Sequence, residues 1–177
     1  MLLKGYKEDR WWYYGGKNRR PKPFQLSAKA GYFKYSEVIT ELLPGEYFKF
    51  FVNIRSINGI SDFSNALEIL VVKAGTNLSN ANAWNFHYSH DNQTFDCFDR
   101  KLNGKYLKEI FPINLIKPLG QMNEIIIYYR PQSNNEKRGI YLIINNEYIK
   151  QGFFIGEKMK YSIYTRVVGM TADFYGK

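Results

Sequence analysis

The stretch from residue 48 to residue 55 limits what this chain can fold into more than any other part of its sequence. Its apolar residues are Phe48, Phe50, Val52 and Ile54, and they alternate with Lys49, Phe51, Asn53 and Arg55. A period of two is the repeat of a β-strand, because successive side chains point to opposite faces of a sheet. The segment therefore predicts a strand with one apolar face and one mixed face.

The composition favours strands in the rest of the chain as well. Of the 177 residues, 18% are aromatic, with 15 Tyr and 13 Phe, and these residue types are typical of pleated, half-buried surfaces. Further strand-like runs lie at 67–71, 124–130, 139–149 and 159–167. Because 45% of the residues are hydrophobic, a packed core is expected. We predict an all-β protein.

Turn residues between these runs predict two hairpins. The first joins the strand at 48–54 to the run at 67–71, through a loop that contains Asn58-Gly59. The second joins residues 139–144 to residues 147–149 around Asn145-Asn146. The segment 106–111 is expected to form a short helical turn. In the run at 158–167, alternate positions predict a basic, solvent-facing row that ends at Arg166.

The segment 42–64 carries a spaced set of residues around the first strand. Leu42, Pro44 and Gly45 form a Leu-x-Pro-Gly corner, Phe48 follows, and Gly59, Ser61 and Ser64 lie in the next loop. In this register, residues 42–72 resemble the C-terminal half of a fibronectin type III domain, of the kind found in phage virion proteins. The resemblance implies a fibronectin/Ig-like β-sandwich whose last two strands form a hairpin. Only 41 residues precede Leu42, so the resemblance covers half a domain.

A break in periodicity indicates the domain organisation. Residues 73–82 are rich in Gly, Asn, Ser and Thr and show no strand or helix repeat. We therefore expect a fibronectin type III-like domain over residues 1–73, with a basic, aromatic N-terminal arm. Residues 83–177 are expected to form a second β-rich module, either a sandwich or a jelly-roll-like fold.

Basic residues concentrate near both ends of the chain, whose net charge is +9. The N-terminal arm interleaves aromatic and basic residues, namely Trp11, Trp12, Lys17, Arg19, Arg20 and Lys22. Such a segment can contact nucleic acid through phosphates and stacked bases, or it can insert its tryptophans into a neighbouring subunit. We prefer the subunit interface, because no RNA-binding motif accompanies the basic residues.

The sequence lacks the motifs of common enzyme classes. It contains no nucleophile elbow, phosphate-binding loop, dinucleotide fingerprint or Cys-x-x-Cys pair, so we expect a non-enzymatic protein without a cofactor. His87 and His90 are three positions apart, and on a strand they would face opposite sides, so no metal site is expected. Cys97 is the only cysteine, which excludes an intramolecular disulfide. Neither a signal peptide nor a membrane-spanning segment is expected.

These observations lead to three functional hypotheses. The first is a structural protein of a bacteriophage virion, in the neck, tail or head decoration, that packs with other virion proteins in a symmetric assembly. The second is an RNA-binding component of a ribonucleoprotein, such as an organellar ribosome, in the cytoplasm or an organelle matrix. The third is a carbohydrate-binding or adhesion module with a site at Trp84, Tyr88 and Asn92, because surface aromatics beside amides suit sugars.

Overall fold

The structure of the chain is a computed structural model. It describes residues 24–27, 33–36, 38–58, 65–75, 83–90, 94–99, 106–107, 115–132, 139–148, 153–154 and 160–176. Every regular element in these ranges is a β-strand. The strands are β1 (Phe24–Ser27), β2 (Phe33–Tyr35), β3 (Thr40–Leu42), β4 (Tyr47–Ile57), β5 (Ala66–Lys73), β6 (Ala83–Ser89), β7 (Thr94–Asp99), β8 (Tyr106–Leu107), β9 (Met122–Arg130), β10 (Gly139–Ile144), β11 (Glu147–Tyr148), β12 (Phe153–Phe154), β13 (Tyr161–Val168) and β14 (Met170–Gly176).

The described strands form two antiparallel sheets of seven strands each. Sheet 1 has the order β1-β14-β4-β9-β10-β11, and β12 also pairs with β10. Sheet 2 has the order β2-β13-β5-β6-β7-β8, and β3 also pairs with β13. The all-β prediction is therefore confirmed, and the architecture is a two-sheet β-sandwich.

The core lies between the two sheets. The predicted apolar face of β4 is confirmed, since Phe48, Phe50, Val52 and Ile54 are at most 1% exposed. Sheet 2 contributes Leu67, Ile69 and Val71 from β5 to the same core. Within sheet 1, the centroid of the Phe50 ring lies 4.9 Å from that of Phe48 and 6.4 Å from that of Phe174 on β14. Aromatic stacking thus joins the two neighbouring strands from the inside.

The chain passes from sheet 2 to sheet 1 at the turn between β3 and β4. The backbone N–H of Glu46 donates to the carbonyl of Leu43 at 3.0 Å, and Gly45 has a φ of +87°. Pro44 at the second position and a positive-φ glycine at the third make a type II turn. This confirms the interpretation of Pro44-Gly45 as a corner that turns the chain between sheets.

The predicted hairpin of β4 with β5 is wrong. β4 pairs with β14 and β9 in sheet 1, whereas β5 pairs with β13 and β6 in sheet 2. Both faces of β5 are buried from Ala66 to Val72, so this strand needs a partner on each side and apolar cover above and below. A central position in sheet 2 gives β5 a partner strand on each side. An isolated hairpin with β4 would give it a partner on one side only.

The finer assignments of fold and domains are not confirmed. Each sheet combines strands from before residue 73 with strands from after residue 83, so the expected second module does not form a sandwich separate from the first. The fibronectin/Ig-like arrangement is not seen either. It would place β4 and β5, as its last two strands, in one sheet, but they lie in different sheets.

The second predicted hairpin is confirmed. Ile144 pairs with Glu147, and the two turn residues Asn145 and Asn146 have φ values of 49° and 68°. Two consecutive positive φ values define the type I′ turn that suits the twist of a two-residue hairpin. The helical turn predicted at 106–111 is wrong at Tyr106–Leu107, which is a strand. Among the described residues, no helix has the length and apolarity required to cross a membrane.

Phe50 and Phe51 test this arrangement, because they are neighbours in sequence on opposite faces of β4. Phe50 is fully buried, and Phe51 is half-buried. We expect Phe50→Ala to lower the free energy of unfolding by about 3–5 kcal/mol, since it leaves a cavity in the core. Phe51→Ala should cost roughly 1 kcal/mol or less. Urea denaturation followed by fluorescence measures both, and equal costs would contradict the assignment of the two faces.

Candidate functional site

The outward face of sheet 1 carries a cross-strand row of polar side chains. The register of β1, β14 and β4 places Gln25 opposite Asp173 and Asp173 opposite Asn53. These positions alternate with residues of the core, such as Val52 and Phe174. Gln25 is exposed and Asn53 is half-buried, so solvent reaches the row at both ends.

A β-bulge brings a cation to this row. Ala172 pairs with Ile54 and Thr171 pairs with Ser56, so the register shifts and Arg55 is the extra residue on β4. A bulge locally bends its strand and redirects a side chain. Here Arg55 Nε forms an ion pair with Asp173 Oδ2, and the exposed fractions of the two side chains are 56% and 8%. The bulge therefore holds a largely exposed guanidinium beside a buried carboxylate.

Asp173 is the hub of the hydrogen bonds on this face. Gln25 Nε2 donates to Asp173 Oδ1 at 2.6 Å, and the hydroxyl of Tyr175 donates to Oδ2 at 3.3 Å. Burial alone would raise the pKa of Asp173. The hydrogen bonds from Gln25 and Arg55, together with the charge of Arg55, outweigh that effect and hold the pKa below its ordinary value. The carboxylate is thus ionised at neutral pH and orients the three side chains around it.

Two aromatic residues lie beside the polar row. The register places Tyr175 of β14 opposite Phe51 of β4, one step further along the same outward face, and both are half-buried. Lys49 Nζ lies 5.8 Å from the centroid of the Phe51 ring and 3.4 Å from Glu124 Oε2. We call the set Gln25, Phe51, Asn53, Arg55, Asp173 and Tyr175 the polar–aromatic face.

Asn53 sits at the middle of this face with an unused acceptor. Its side-chain Oδ1 is buried and accepts no hydrogen bond within the described part of the chain. A buried acceptor without a donor costs free energy, and such groups in folded proteins call for an explanation. Met122, which is 41% exposed, lies opposite Asn53 on β9 and adds an apolar margin.

Sheet 2 also carries polar groups on its outward face, but they engage one another. Arg166 and Glu68 form an ion pair, with side chains 14% and 5% exposed, and Asn85 Nδ2 donates to Glu68 Oε1 at 2.8 Å. Leu70 and Val72 on the same face are fully buried. The predicted solvent-facing basic row is therefore wrong at Arg166. Because these groups are buried and bonded to one another, they leave little polar surface for a ligand.

The residues predicted to form sites fall in three places. The arm residues Trp11, Trp12, Lys17, Arg19, Arg20 and Lys22 lie outside the described residues, as does Asn92. Tyr88 belongs to the core and is 4% exposed, so its predicted role as a surface aromatic for sugar binding is wrong. Trp84 occupies a strand position in register with the core residue Val71.

The two histidines do not come together as a site. His87 is opposite Glu68 in the sheet, while His90 lies past the end of β6, where its Nδ1 is 3.1 Å from the hydroxyl of Tyr88. In the described ranges, His, Cys, Asp and Glu side chains form no group of three or more that could hold a metal ion.

Sequence reasoning missed every member of the polar–aromatic face as a site. Its one visible signal was the mixed side of β4, where Phe51, Asn53 and Arg55 alternate with the core residues. The partners Gln25 and Asp173 could not be linked to them, because Asp173 is 118 residues from Arg55 and 148 residues from Gln25, and pairing over such separations leaves no local trace.

The pKa of Asp173 gives a testable dependence of stability on pH. Its pKa is lower in the folded chain than the ordinary value of 3.8, so its pairing stabilises the fold above about pH 4 and is lost as the pH falls through the folded value. Asp173→Asn should therefore be less stable than the wild type at pH 7. The difference in urea midpoint should shrink steadily below pH 4. A difference that stays constant down to pH 2 would contradict the ionised, paired state of Asp173.

Comparison with known proteins identifies similar folds but no family. No protein-family model matches the sequence. The search of curated proteins found no match either.

Solved structures resemble the chain over most of its length. The carbohydrate-binding module CBM66 from Bacillus subtilis matches with a TM-score of 0.54 and 7% identity, over 90% of this chain and 96% of that chain. The carbohydrate recognition domain of Emp46p, in its potassium-bound form, matches with a TM-score of 0.54 and 10% identity, over 87% and 80%. A point mutant of the same domain matches with a TM-score of 0.55 and 10% identity, over 86% and 82%. At such identities the likeness shows a shared two-sheet β-sandwich.

Proposed function

We propose that this chain is a carbohydrate-binding module without enzymatic activity, and that it binds glycans on the polar–aromatic face of sheet 1. The observation that carries the proposal is the row Gln25–Asp173–Asn53, with exposed Arg55 beside it. Half-buried Phe51 and Tyr175 lie next to this row. The sequence raised carbohydrate binding as an alternative, and the proposal moves the site from Trp84, Tyr88 and Asn92 to another sheet.

The chemistry of the face suits a sugar. A pyranose presents hydroxyl groups at its edge and C–H groups on its faces. The side chains of Gln, Asn and Arg offer donors and acceptors in fixed planes that can bind neighbouring hydroxyls in pairs. Half-buried Phe51 and Tyr175 supply the flat apolar surface that a sugar ring can cover. Because Asp173 already orders Gln25, Arg55 and Tyr175, little conformational entropy is lost on binding.

Fold likeness supports the proposal in a general way. The similar sandwich domains are described as a carbohydrate-binding module and a carbohydrate recognition domain. They are not virion proteins or fibronectin type III domains. The virion role with its symmetric assembly, and the ribonucleoprotein role of the N-terminal arm, remain sequence predictions that no described residue favours.

The electrostatics of the face favour binding over hydrolysis. Glycoside hydrolysis uses a carboxylic acid whose raised pKa lets it protonate the leaving group. The pKa of Asp173 is shifted in the opposite direction, since Gln25 and Arg55 stabilise its charged form against burial. Glu124 lies next to this face, opposite Phe51 on β9, and is paired with Lys49 at 3.4 Å. Both carboxylates are therefore engaged in holding the surface together.

Binding to a panel of oligosaccharides, measured by calorimetry, tests the proposal. We expect Phe51→Ala and Asn53→Ala each to weaken binding of the best ligand about tenfold, which corresponds to roughly 1.4 kcal/mol. Tyr164→Ala serves as the matched control, because Tyr164 is a half-buried aromatic on the outward face of sheet 2, opposite Leu70. That variant should bind as the wild type does.

Two outcomes would contradict the proposal. One is the absence of binding to any saccharide of the panel by the folded chain. The other is a loss of affinity in Tyr164→Ala that equals the loss in Phe51→Ala, because the effect would then not be specific to sheet 1. Circular dichroism of each variant shows whether the strands are intact.

A further inference from the structure

Arg55 has hydrogen-bonding capacity that its intramolecular contacts do not use up. A guanidinium has five N–H donors, and the contact with Asp173 Oδ2 runs through Nε. The side chain is 56% exposed. The hydrogen bond to Asp173 raises the pKa of Arg55 most, and the Tyr175 hydroxyl raises it further. The terminal nitrogens thus belong to a fixed, solvent-exposed cation that can donate to a ligand.

Asp173, by contrast, is occupied as an acceptor. Gln25 donates to Oδ1, and both Arg55 and Tyr175 donate to Oδ2. The only carboxylate in the polar row is therefore satisfied within the chain and is buried. The charged group next to it that can still bind a ligand is the guanidinium of Arg55, which is a hydrogen-bond donor. A ligand with a carboxylate supplies the acceptor that these free donors lack, and it does so better than a ligand with only hydroxyls.

The charge around the face also permits an anion. The carboxylates of Asp173 and Glu124 are each paired with a cation, Arg55 and Lys49 respectively, so the face carries no unbalanced negative charge among these four groups. The whole chain has a net charge of +9, which attracts anions at long range.

We propose that the polar–aromatic face selects acidic saccharides, with a uronate carboxylate bound by the terminal nitrogens of Arg55 and the sugar ring covering Phe51 and Tyr175. Planar guanidinium and carboxylate groups match in a two-bond geometry. This inference rests on the proposed function and names the ligand class of the same site.

A pair of ligands that differ only in charge tests this inference. Oligogalacturonate and its fully methyl-esterified form share sugar rings and linkages, but the ester has no carboxylate. We expect the acid to bind about tenfold more tightly than the ester. Arg55→Gln should remove that preference, so that the acid and the ester bind this variant with equal affinity.

Lys160→Gln is the matched control variant. Lys160 is also a half-exposed cation, with a side chain 50% exposed and paired with Glu41 at 3.0 Å, but it adjoins sheet 2. It should keep the full preference for the acid, although it loses the same unit of charge. A sulfated oligosaccharide of equal length distinguishes carboxylate recognition from general attraction of anions, and it should bind less tightly than the uronate.

The outcomes separate this inference from the proposed function. Equal affinities for acid and ester, with both lost in Phe51→Ala, would overturn the acidic class and leave carbohydrate binding intact. Equal losses of acid preference in Arg55→Gln and Lys160→Gln, or tighter binding of the sulfated ligand, would also overturn it, because net charge would then explain the binding. If neither of these two ligands binds while another saccharide of the panel does, the acidic class is overturned. If no saccharide of the panel binds, the proposed function itself fails.

Discussion

The pairing of β14 with β4 is the interaction on which both the core and the candidate site depend. On the inner side it sets Phe174 against Phe50 in the middle of the core. On the outer side it sets Asp173 opposite Asn53 and beside Arg55, residues that are more than 100 positions away in sequence. One antiparallel ladder thus fixes a hydrophobic contact and a surface constellation together, because alternate residues of each strand face opposite sides.

The irregular point of that ladder matters as much as its regular part. The register shift at Thr171–Ala172 leaves Arg55 as an extra residue, and the redirected side chain meets a carboxylate that Gln25 and Tyr175 also contact. Ionised Asp173 orders the donors around it but has little capacity left for a ligand. The same interactions that lower its pKa therefore shape the chemistry of the face, which is rich in donors and backed by aromatic rings.

Part of this could be predicted from the sequence, because strands and turns have local signals. The inward residues of β4, the Pro44-Gly45 corner and the Asn145-Asn146 hairpin follow from period, φ preference and turn chemistry, and the structure confirms them. The partner of each strand has no such signal. β4 and β5 look like a hairpin along the chain, yet they lie in opposite sheets. The site was missed for the same reason, since long-range pairing assembles it.

Mapping saccharide binding onto the backbone by NMR shows directly which sheet holds the ligand. In a titration of isotope-labelled protein with the best-binding oligosaccharide, the largest shifts should fall on the amides of Asn53, Arg55 and Asp173, at the centre of the sheet 1 face. Amides of Asn85 and Ser162, at buried outward positions of sheet 2, should barely move. Shifts concentrated on sheet 2, with β4 and β14 unchanged, would contradict saccharide binding on sheet 1.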